Sequence, residues 1–182
     1  MSNKTQHKKI LFTGPIGVGK TTAIQTMSDV PVITTDESAS DMTKDHKPQT
    51  TVTMDYGYMN IGTKERIHLY GTPGQERFNF MWDILKTGAL GLVLLIDNSR
   101  ENPQQDLKFY TESFKEFTDK GELVIGIVKT DKNSKPTIDE YRQWLKELSI
   151  SAPIFSVDPR EKSDISSLIQ ALLYSMDPGV AA

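Results

Sequence analysis

The stretch from Gly14 to Thr22 constrains the fold and function of this chain most. It reads Gly-Pro-Ile-Gly-Val-Gly-Lys-Thr-Thr. It matches the pattern G-x-x-x-x-G-K-[ST], with an apolar run at residues 10–12 before it and a helix-like run at residues 23–27 after it. Glycine lets consecutive backbone N–H groups curl around one anion, and the N-terminus of the following helix faces the same anion. The sequence therefore predicts a strand, a loop and a helix that bind the phosphates of a nucleoside triphosphate.

Individual residues of this loop have predicted roles in holding the triphosphate. We expect the Lys20 ammonium to lie along the β- and γ-phosphates, and the Thr21 hydroxyl to face a bound Mg²⁺. A glycine-rich turn that binds nothing is the alternative. The residues of this stretch predicted to bind the nucleotide are Gly14, Ile16, Gly17, Val18, Gly19, Lys20, Thr21 and Thr22.

Composition narrows the class of protein. A chain of 182 residues that is 37% hydrophobic and 25% charged suits one soluble globular domain. We expect that domain at residues 8–176, with a disordered tail at 1–7 and a C-terminal tail at 177–182. A net charge of −3 gives no general attraction to nucleic acid. With no cysteine, Ser2 at the second position and no apolar run near the ~20 residues of a membrane span, we expect a cytoplasmic protein without a lipid anchor.

Apolar runs alternate with helical patterns along the chain, which predicts an α/β fold with a mainly parallel sheet. Buried strands are predicted at 8–13, 91–96 and 123–128, a short strand at 153–156, and an antiparallel hairpin at 50–59 and 65–70. Helices are predicted after the phosphate-binding stretch to about residue 28, at 81–86, 102–121, from 134, and from 165 to near 176. The polar segment Val32 to Gln49 has no period and is predicted to be a long loop, the place for a nucleotide-sensing switch.

Four further stretches along the chain contain candidate functional residues. They are Thr50-Thr51, Gly71-Thr72-Pro73-Gly74-Gln75-Glu76-Arg77-Phe78, Val128-Lys129-Thr130-Asp131 and Phe155-Ser156-Val157-Asp158. Together with the phosphate-binding stretch, they resemble the motifs of Ras-like small GTPases, closest in style to the bacterial gliding-motility and Rab-like proteins. The resemblance implies a three-layer P-loop NTPase fold with a mainly parallel six-stranded sheet, one antiparallel edge strand and about five helices. It also implies GTP and GDP as ligands, Mg²⁺ as cofactor, and a molecular switch that hydrolyses GTP slowly.

The resemblance assigns roles in the switch regions. The Thr51 hydroxyl is expected to coordinate Mg²⁺ together with Thr21, with Thr50 as the alternative to Thr51. Gly74 is expected to bring its N–H to the γ-phosphate, and Gln75 is the predicted catalytic residue that orients the attacking water.

One position departs from the family pattern in this region. Gly71 stands where the family has an Asp that anchors Mg²⁺ through water. Either Mg²⁺ binds more weakly here, or a carboxylate of the long loop substitutes for the missing Asp. The loop carboxylates in question are Asp36, Glu37 and Asp41.

The resemblance also predicts the residues that contact the base. Asp131 is expected to accept hydrogen bonds from guanine N1–H and the 2-amino group, and the Lys129 stem to cover one face of the base. Val128 replaces the family's Asn, so one hydrogen bond that braces this loop is missing. The last stretch, Ser156, Val157 and Asp158, is predicted to bind the base through the Val157 N–H, which would contact guanine O6.

Turnover and partners follow from the same comparison of motifs. Ile16 is bulkier than the Gly of the Ras proteins themselves, and we expect slow intrinsic hydrolysis. The resemblance implies a regulatory partner, which in this class is typically a roadblock-fold activator or platform protein. Two alternative functions stay open: a nucleotide-binding adaptor that does not hydrolyse, and a P-loop small-molecule kinase. A kinase needs an arginine-rich lid, and the candidate region 97–119 contains only Arg100.

Overall fold

The computed structural model describes residues 8–38, 51–74 and 79–176. Its strands are β1 (Lys8–Thr13), β2 (Ile33–Ser38), β3 (Thr51–Ile61), β4 (Glu65–Gly71), β5 (Gly91–Asp97), β6 (Leu123–Val128) and β7 (Ile154–Ser156). Its helices are α1 (Lys20–Met27), α2 (Asn79–Lys86), α3 (Pro103–Ser113), α4 (Lys115–Lys120), α5 (Ile138–Glu147) and α6 (Lys162–Met176). Within these residues, no helix is long and apolar enough to cross a membrane.

The strands of the described residues form one seven-stranded sheet in the order β2-β3-β4-β1-β5-β6-β7. The strands from β4 to β7 in this order pair in parallel, while β3 pairs antiparallel with both β2 and β4. The α/β fold class and the predicted hairpin are therefore confirmed. The antiparallel strand lies one position in from the edge, because β2 covers it.

Strand β2 is the main difference from the sequence-based expectation. Residues 33–38 belong to the segment predicted to be a loop, but they pair with residues 51–56 of β3. An edge strand needs backbone partners on one side only and no apolar face, so its polar sequence gave no periodic signal. The sheet therefore has seven strands rather than six. The rest of the predicted loop, residues 39–49, and both predicted tails lie outside the described residues.

The helices also differ from expectation in one place. The helix predicted at 102–121 is two helices, α3 and α4, which meet at the fully buried Phe114. This raises the number of helices from about five to six in the described part of the chain. Helix α3 begins where the sequence predicted a helix to begin: Pro103 opens it, and the Asn102 side chain accepts from Gln105 N.

Helices cover both faces of the sheet and give three layers. On one face, Ile10 and Phe12 of β1 pack with residues of α1 and α6. On the other face, Leu11 packs with residues of α2, α3, α4 and α5. All seven residues of β5 are buried, as expected for a central parallel strand. The carboxyl ends of β1, β4, β5, β6 and β7 meet at one edge of the sheet, where ligands bind in open α/β folds.

Candidate functional site

The phosphate loop, residues 14–19, joins β1 to α1 at this edge. Gly19 is the N-cap of α1 with a φ of 112°, a left-handed conformation that favours glycine. A Cβ atom at Gly19 would lie 2.7 Å from Pro159 Cγ, so only glycine lets the loop pack against the chain after β7. This geometry leaves the N-terminus of α1 open toward a phosphate.

Lys20 turns back onto the phosphate loop. Its Nζ atom donates to Gly14 O at 2.6 Å and to Pro15 O at 3.0 Å. Burial lowers the pKa of Lys20 to about 8, against the opposing effect of the nearby Asp55 carboxylate. The ammonium is thus held by carbonyl dipoles at the place where phosphate oxygens are expected to replace them.

Asp55 is a candidate site residue that sequence reasoning did not name. It lies on β3 directly opposite Gly71 and is 7% exposed. Its carboxylate accepts from the Thr21 hydroxyl through Oδ2, and from the Thr34 hydroxyl through Oδ1 at 2.9 Å. A Cβ atom at Gly71 would lie 3.3 Å from Asp55 Oδ2, so the carboxylate occupies space next to the missing side chain.

The hairpin register could have identified Asp55 in advance. The turn at residues 62–64 pairs Ile61 with Glu65, and counting outward from there pairs Asp55 with Gly71. Directly opposed residues of an antiparallel pair have their side chains on the same face. The sequence predicted the hairpin but not this register.

The other predicted switch residues and loop carboxylates lie wholly or partly outside the described residues. Thr51 belongs to β3 and pairs with Ser38. Its side chain lies outside the described part of the chain, so its predicted role as a Mg²⁺ ligand stays a prediction. Thr50, Asp41 and the predicted catalytic Gln75 lie outside the described residues. The side chains of Asp36 and Glu37 also lie outside the described part, so their predicted role stays a prediction.

A cavity of about 570 Å³ continues from the phosphate loop along the sheet edge. Three loops meet there: the phosphate loop, the loop after β6 and the loop after β7. Its lining residues are Gly17, Val18, Gly19, Thr22, Val128, Lys129, Thr130, Asp131, Lys132, Ser156, Val157, Asp158, Pro159, Arg160 and Asp164. The structure thus brings together nine of the predicted site residues from three separate parts of the sequence.

Two hydrogen bonds organise the far end of this cavity. The Lys129 Nζ atom contacts Asp97 Oδ2 at 2.7 Å, and the Thr130 and Ser156 hydroxyls lie 2.7 Å apart. Lys129 has a φ of 58°, an uncommon conformation for a residue with a side chain. The Asp131 side chain is exposed at the cavity.

The backbone after β7 donates hydrogen bonds within the protein. Val157 N donates to Ile127 O at 2.9 Å as a continuation of the sheet. Asp158 N donates to Asp164 Oδ2 at 2.9 Å. A contact between the Val157 N–H and guanine O6 would require the sheet hydrogen bond to be exchanged, and it stays a prediction.

Asp158 also holds a neighbouring arginine. Its carboxylate accepts from Arg160 Nε at 2.9 Å and from Arg160 Nη2 at 2.7 Å. These hydrogen bonds lower the pKa of Asp158 to about 2, so the side chain is charged across the physiological range. The side chain therefore acts as an acceptor for Arg160 at the rim of the cavity.

Gly74 and Ile16 meet at the other end of the phosphate loop. A Cβ atom at Gly74 would lie 2.9 Å from Ile16 Cγ1 and 3.1 Å from Lys20 Nζ. Glycine is thus required for the chain after β4 to approach the lysine so closely. The Ile16 side chain is 59% exposed beside it.

Comparison with protein families gives one match that covers more than half of the chain. The family described as "Conserved hypothetical ATP binding protein" matches residues 30–142. The matched range begins after the phosphate loop and α1. It includes Asp55, Gly71 and the loop that carries Asp131.

Individual relatives are more distant. A protein of Methanocaldococcus jannaschii described as uncharacterised is 30% identical over 103 residues, which are 57% of this chain and 59% of that protein. The Ras-related protein Rab-8B of Bos taurus is 28% identical over 163 residues, 87% of this chain and 72% of the relative. The Ras-related protein SEC4 of Saccharomyces cerevisiae is 28% identical over 106 residues, 56% of this chain and 49% of the relative. The match thus spans less than two thirds of the archaeal protein and of SEC4.

Proposed function

We propose that this chain, which belongs to the family described as conserved hypothetical ATP binding proteins and is related to the Ras-like small GTPases, is a switch that binds GTP and hydrolyses it slowly. The observation that carries the proposal is the cavity itself. It joins the phosphate loop to Asp131 and Lys129, although about 110 residues separate them in the sequence. A volume of about 570 Å³ is within the range of cofactor and nucleotide sites.

The phosphate end of the proposed site is built from backbone donors and one cation. The N–H groups of the phosphate loop and the N-terminus of α1 would hold the β- and γ-phosphates. The Lys20 ammonium would exchange Gly14 O and Pro15 O for phosphate oxygens, a stronger partner for a charge in a buried place. The pKa of Lys20 would then rise again, since the phosphates favour the charged form.

The chemistry of the donor set beside the phosphates fits Mg²⁺. Thr21 supplies a hydroxyl oxygen, and Asp55 supplies a carboxylate that accepts a hydrogen bond from this hydroxyl. Mg²⁺ prefers hard oxygen ligands and retains waters, which a nearby carboxylate can hold. When bound there, Mg²⁺ would supply positive charge to the β- and γ-phosphate oxygens. We propose Thr21 as a ligand of Mg²⁺. We propose that Asp55 takes the role of the Asp that Ras-like small GTPases have at the position of Gly71.

The residues at the base end of the cavity favour guanine over adenine as the bound base, although the family is described as ATP-binding. The exposed Asp131 carboxylate can accept two hydrogen bonds, which the N1–H and 2-amino groups of guanine supply. Adenine has no such pair of donors. A carboxylate left facing adenine would lose hydrogen bonds to water without replacement.

Hydrolysis in this proposal is an in-line displacement at the γ-phosphorus. Gln75 would orient a water whose oxygen forms the new bond to phosphorus. The bond between phosphorus and the bridging oxygen breaks, and GDP leaves with that electron pair. The products are GDP, phosphate and one proton.

The slow rate and the regulatory partner belong to the same proposal. Ile16 occupies the space beside Gly74 and Lys20, where a second catalytic group would approach. The arginine among the cavity-lining residues, Arg160, lies at the rim with Asp131, at the base end. We propose that a partner protein, of the roadblock fold in the resemblance above, activates hydrolysis from outside.

Nucleotide analysis tests the function directly. The purified protein is denatured, and the released nucleotide is identified by ion-exchange chromatography. Binding of GTP and ATP is then compared, and single-turnover hydrolysis is followed with each. We expect guanine nucleotide to be bound, and phosphate to be released slowly from GTP. Tighter binding of ATP would overturn the base assignment, and GTP binding without hydrolysis would favour the adaptor function.

The role of Asp55 leads to a separate prediction. Asp55→Asn keeps one acceptor oxygen for one of the Thr21 and Thr34 hydroxyls, and its NH₂ group can donate to the other, but it removes the negative charge. We expect the release of GDP to become nearly independent of Mg²⁺, whereas chelation with EDTA should speed release from the parent about tenfold or more, equivalent to ~1.4 kcal/mol. Stopped-flow release of a fluorescent GDP analogue, with Mg²⁺ and with EDTA, measures this ratio.

A rescue variant separates this role from general damage. Asp55→Ala combined with Gly71→Asp moves the carboxylate to the opposite strand, at the position directly across the pair. We expect the double variant to regain a response to EDTA that Asp55→Ala alone lacks. A full EDTA response in Asp55→Asn would show that this carboxylate does not support the metal.

A further inference from the structure

One residue just after the neighbouring strand contacts both the residue before the loop that carries Asp131 and the end of that loop. This loop, residues 129–133, follows β6. Asn98, just after β5, donates through its backbone N–H to Val128 O at 3.0 Å. Its side-chain Nδ2 atom donates to Asn133 O at 2.8 Å. Asn98 therefore spans the loop and fixes the distance between its two ends.

Asn98 is itself held in a single orientation. It is 1% exposed, and its Oδ1 atom accepts from the Tyr141 hydroxyl at 2.7 Å. Tyr141 is fully buried on α5, and burial raises the pKa of its hydroxyl, which therefore remains a donor. Because Asn133 O can only accept, the amide nitrogen must face it and the amide oxygen must face Tyr141.

Asp97 holds the start of the same loop. Its Oδ1 atom accepts from Ser99 N at 2.9 Å and Ser99 Oγ at 2.6 Å, and its Oδ2 atom contacts Lys129 Nζ. Burial alone would raise the pKa of this carboxyl, but the hydrogen bonds from Lys129 and Ser99 outweigh burial and the pKa is lowered. Asp97 is therefore charged and holds the end of the Lys129 side chain, while the Lys129 backbone has a left-handed φ of 58°.

These contacts replace a brace that the sequence lacks. Val128 is apolar and 1% exposed, so it gives the loop no side-chain hydrogen bond. We propose that Asn98 is the positioning residue for Asp131 and thereby determines recognition of the guanine 2-amino group, while Asp97 positions Lys129 along the base. This inference rests on the proposed function, in which the base is guanine.

The proposal is tested by the ratio of two affinities. IDP differs from GDP in lacking the 2-amino group, so the ratio of their dissociation constants reports how well Asp131 is placed. We expect the parent to bind GDP about tenfold more tightly than IDP, the equivalent of one hydrogen bond of ~1.4 kcal/mol. Asn98→Ala should bring this ratio close to one. Titration calorimetry or displacement of a fluorescent nucleotide measures both constants.

Two further variants keep the test decisive. Asn102→Ala is the matched control, since it removes the same side chain four residues away, at the N-cap of α3, and should leave the ratio unchanged. Asn98→Asp preserves the size of the side chain and an acceptor for Tyr141, but it turns an acceptor toward Asn133 O. It should also lower the ratio, and it serves if Asn98→Ala fails to fold by circular dichroism.

The outcomes separate this inference from the proposed function. If both Asn98 variants keep the parental ratio of the GDP and IDP dissociation constants, the inference is overturned. This holds whether both nucleotides bind as tightly as to the parent or both bind more weakly by the same factor. A parent that prefers ADP to GDP would overturn the proposed function first, and with it any role of Asn98 in guanine recognition.

Discussion

Asp131→Asn is expected to exchange a preference for guanine nucleotides for a preference for xanthine nucleotides. The amide can donate a hydrogen bond where the carboxylate accepted, and xanthine has a carbonyl oxygen where guanine has the 2-amino group. Polar groups that become covered by the base and are left without partners give large discrimination, so we expect the variant to bind GTP about 10²- to 10⁴-fold more weakly than the parent does. Competition between GDP and XDP for a fluorescent nucleotide measures the exchange.

Asp139→Asn is the matched control for this prediction. It makes the same chemical change on the first turn of α5, where the Asp139 carboxylate contacts Arg142 and is 88% exposed. It should leave both affinities at the parental values. If Asp131→Asn retained parental selectivity, the loop after β6 would not read the base, and the guanine assignment would fall.

Lys20→Ala should nearly abolish nucleotide binding at micromolar concentration. The substitution removes a charge-assisted contact to phosphate in a site that is mostly shielded from water. We expect a loss of about 2–4 kcal/mol, or about 30- to 1,000-fold in the dissociation constant. Equilibrium binding of a fluorescent GDP analogue, followed by anisotropy, gives this value.

Lys9→Ala provides the matched control for Lys20→Ala. The Lys9 ammonium also donates to a backbone carbonyl, Thr87 O at 2.8 Å, but from the opposite end of β1. Its removal should leave nucleotide affinity within about twofold of the parent, as for a substitution away from the site. Parental affinity in Lys20→Ala would mean that the phosphate loop does not bind the triphosphate.

The same lysine predicts two pH effects of opposite sign. The folded, nucleotide-free protein has a Lys20 pKa of about 8, below the ~10.4 of an unfolded lysine. The unfolded chain thus binds more protons between about pH 8 and 10, so Lys20 contributes a free energy of unfolding that rises with pH in this window. Nucleotide affinity should fall over the same window, because bound phosphates require the protonated form. Lys20→Met should remove both dependences, relative to the parent in matched titrations.

The sequence by itself determined those features that depend on residues close together along the chain. The phosphate loop has its glycines, its lysine and its threonine within nine consecutive positions, so local spacing was enough to predict strand, loop and helix. Buried strands such as β5 were equally clear, because a parallel strand covered on both faces must be apolar throughout. The helix start at Asn102 and Pro103 followed from capping chemistry, which is also local.

Backbone pairing decided the parts that local pattern could not. Strand β2 is polar, and its hydrogen bonds depend on β3 rather than on its own sequence. Asp55 lies sixteen positions before Gly71, and only the register of the hairpin sets its carboxylate beside the missing side chain and against Thr21. Register is a property of two strands together, and a shift by one residue would turn Asp55 to the other face.

The order of strands in the sheet decided the rest of the site. Because β5 lies between β1 and β6, its last residue, Asp97, and the residue after it, Asn98, meet the loop that carries Asp131. The sequence showed that Val128 lacks a polar side chain, but not that a different strand supplies the hydrogen bonds. Local chemistry therefore determined which residues can bind phosphate and base. Long-range pairing determined which residues hold them in place, since hydrogen bonds between distant segments exist only once the sheet has formed.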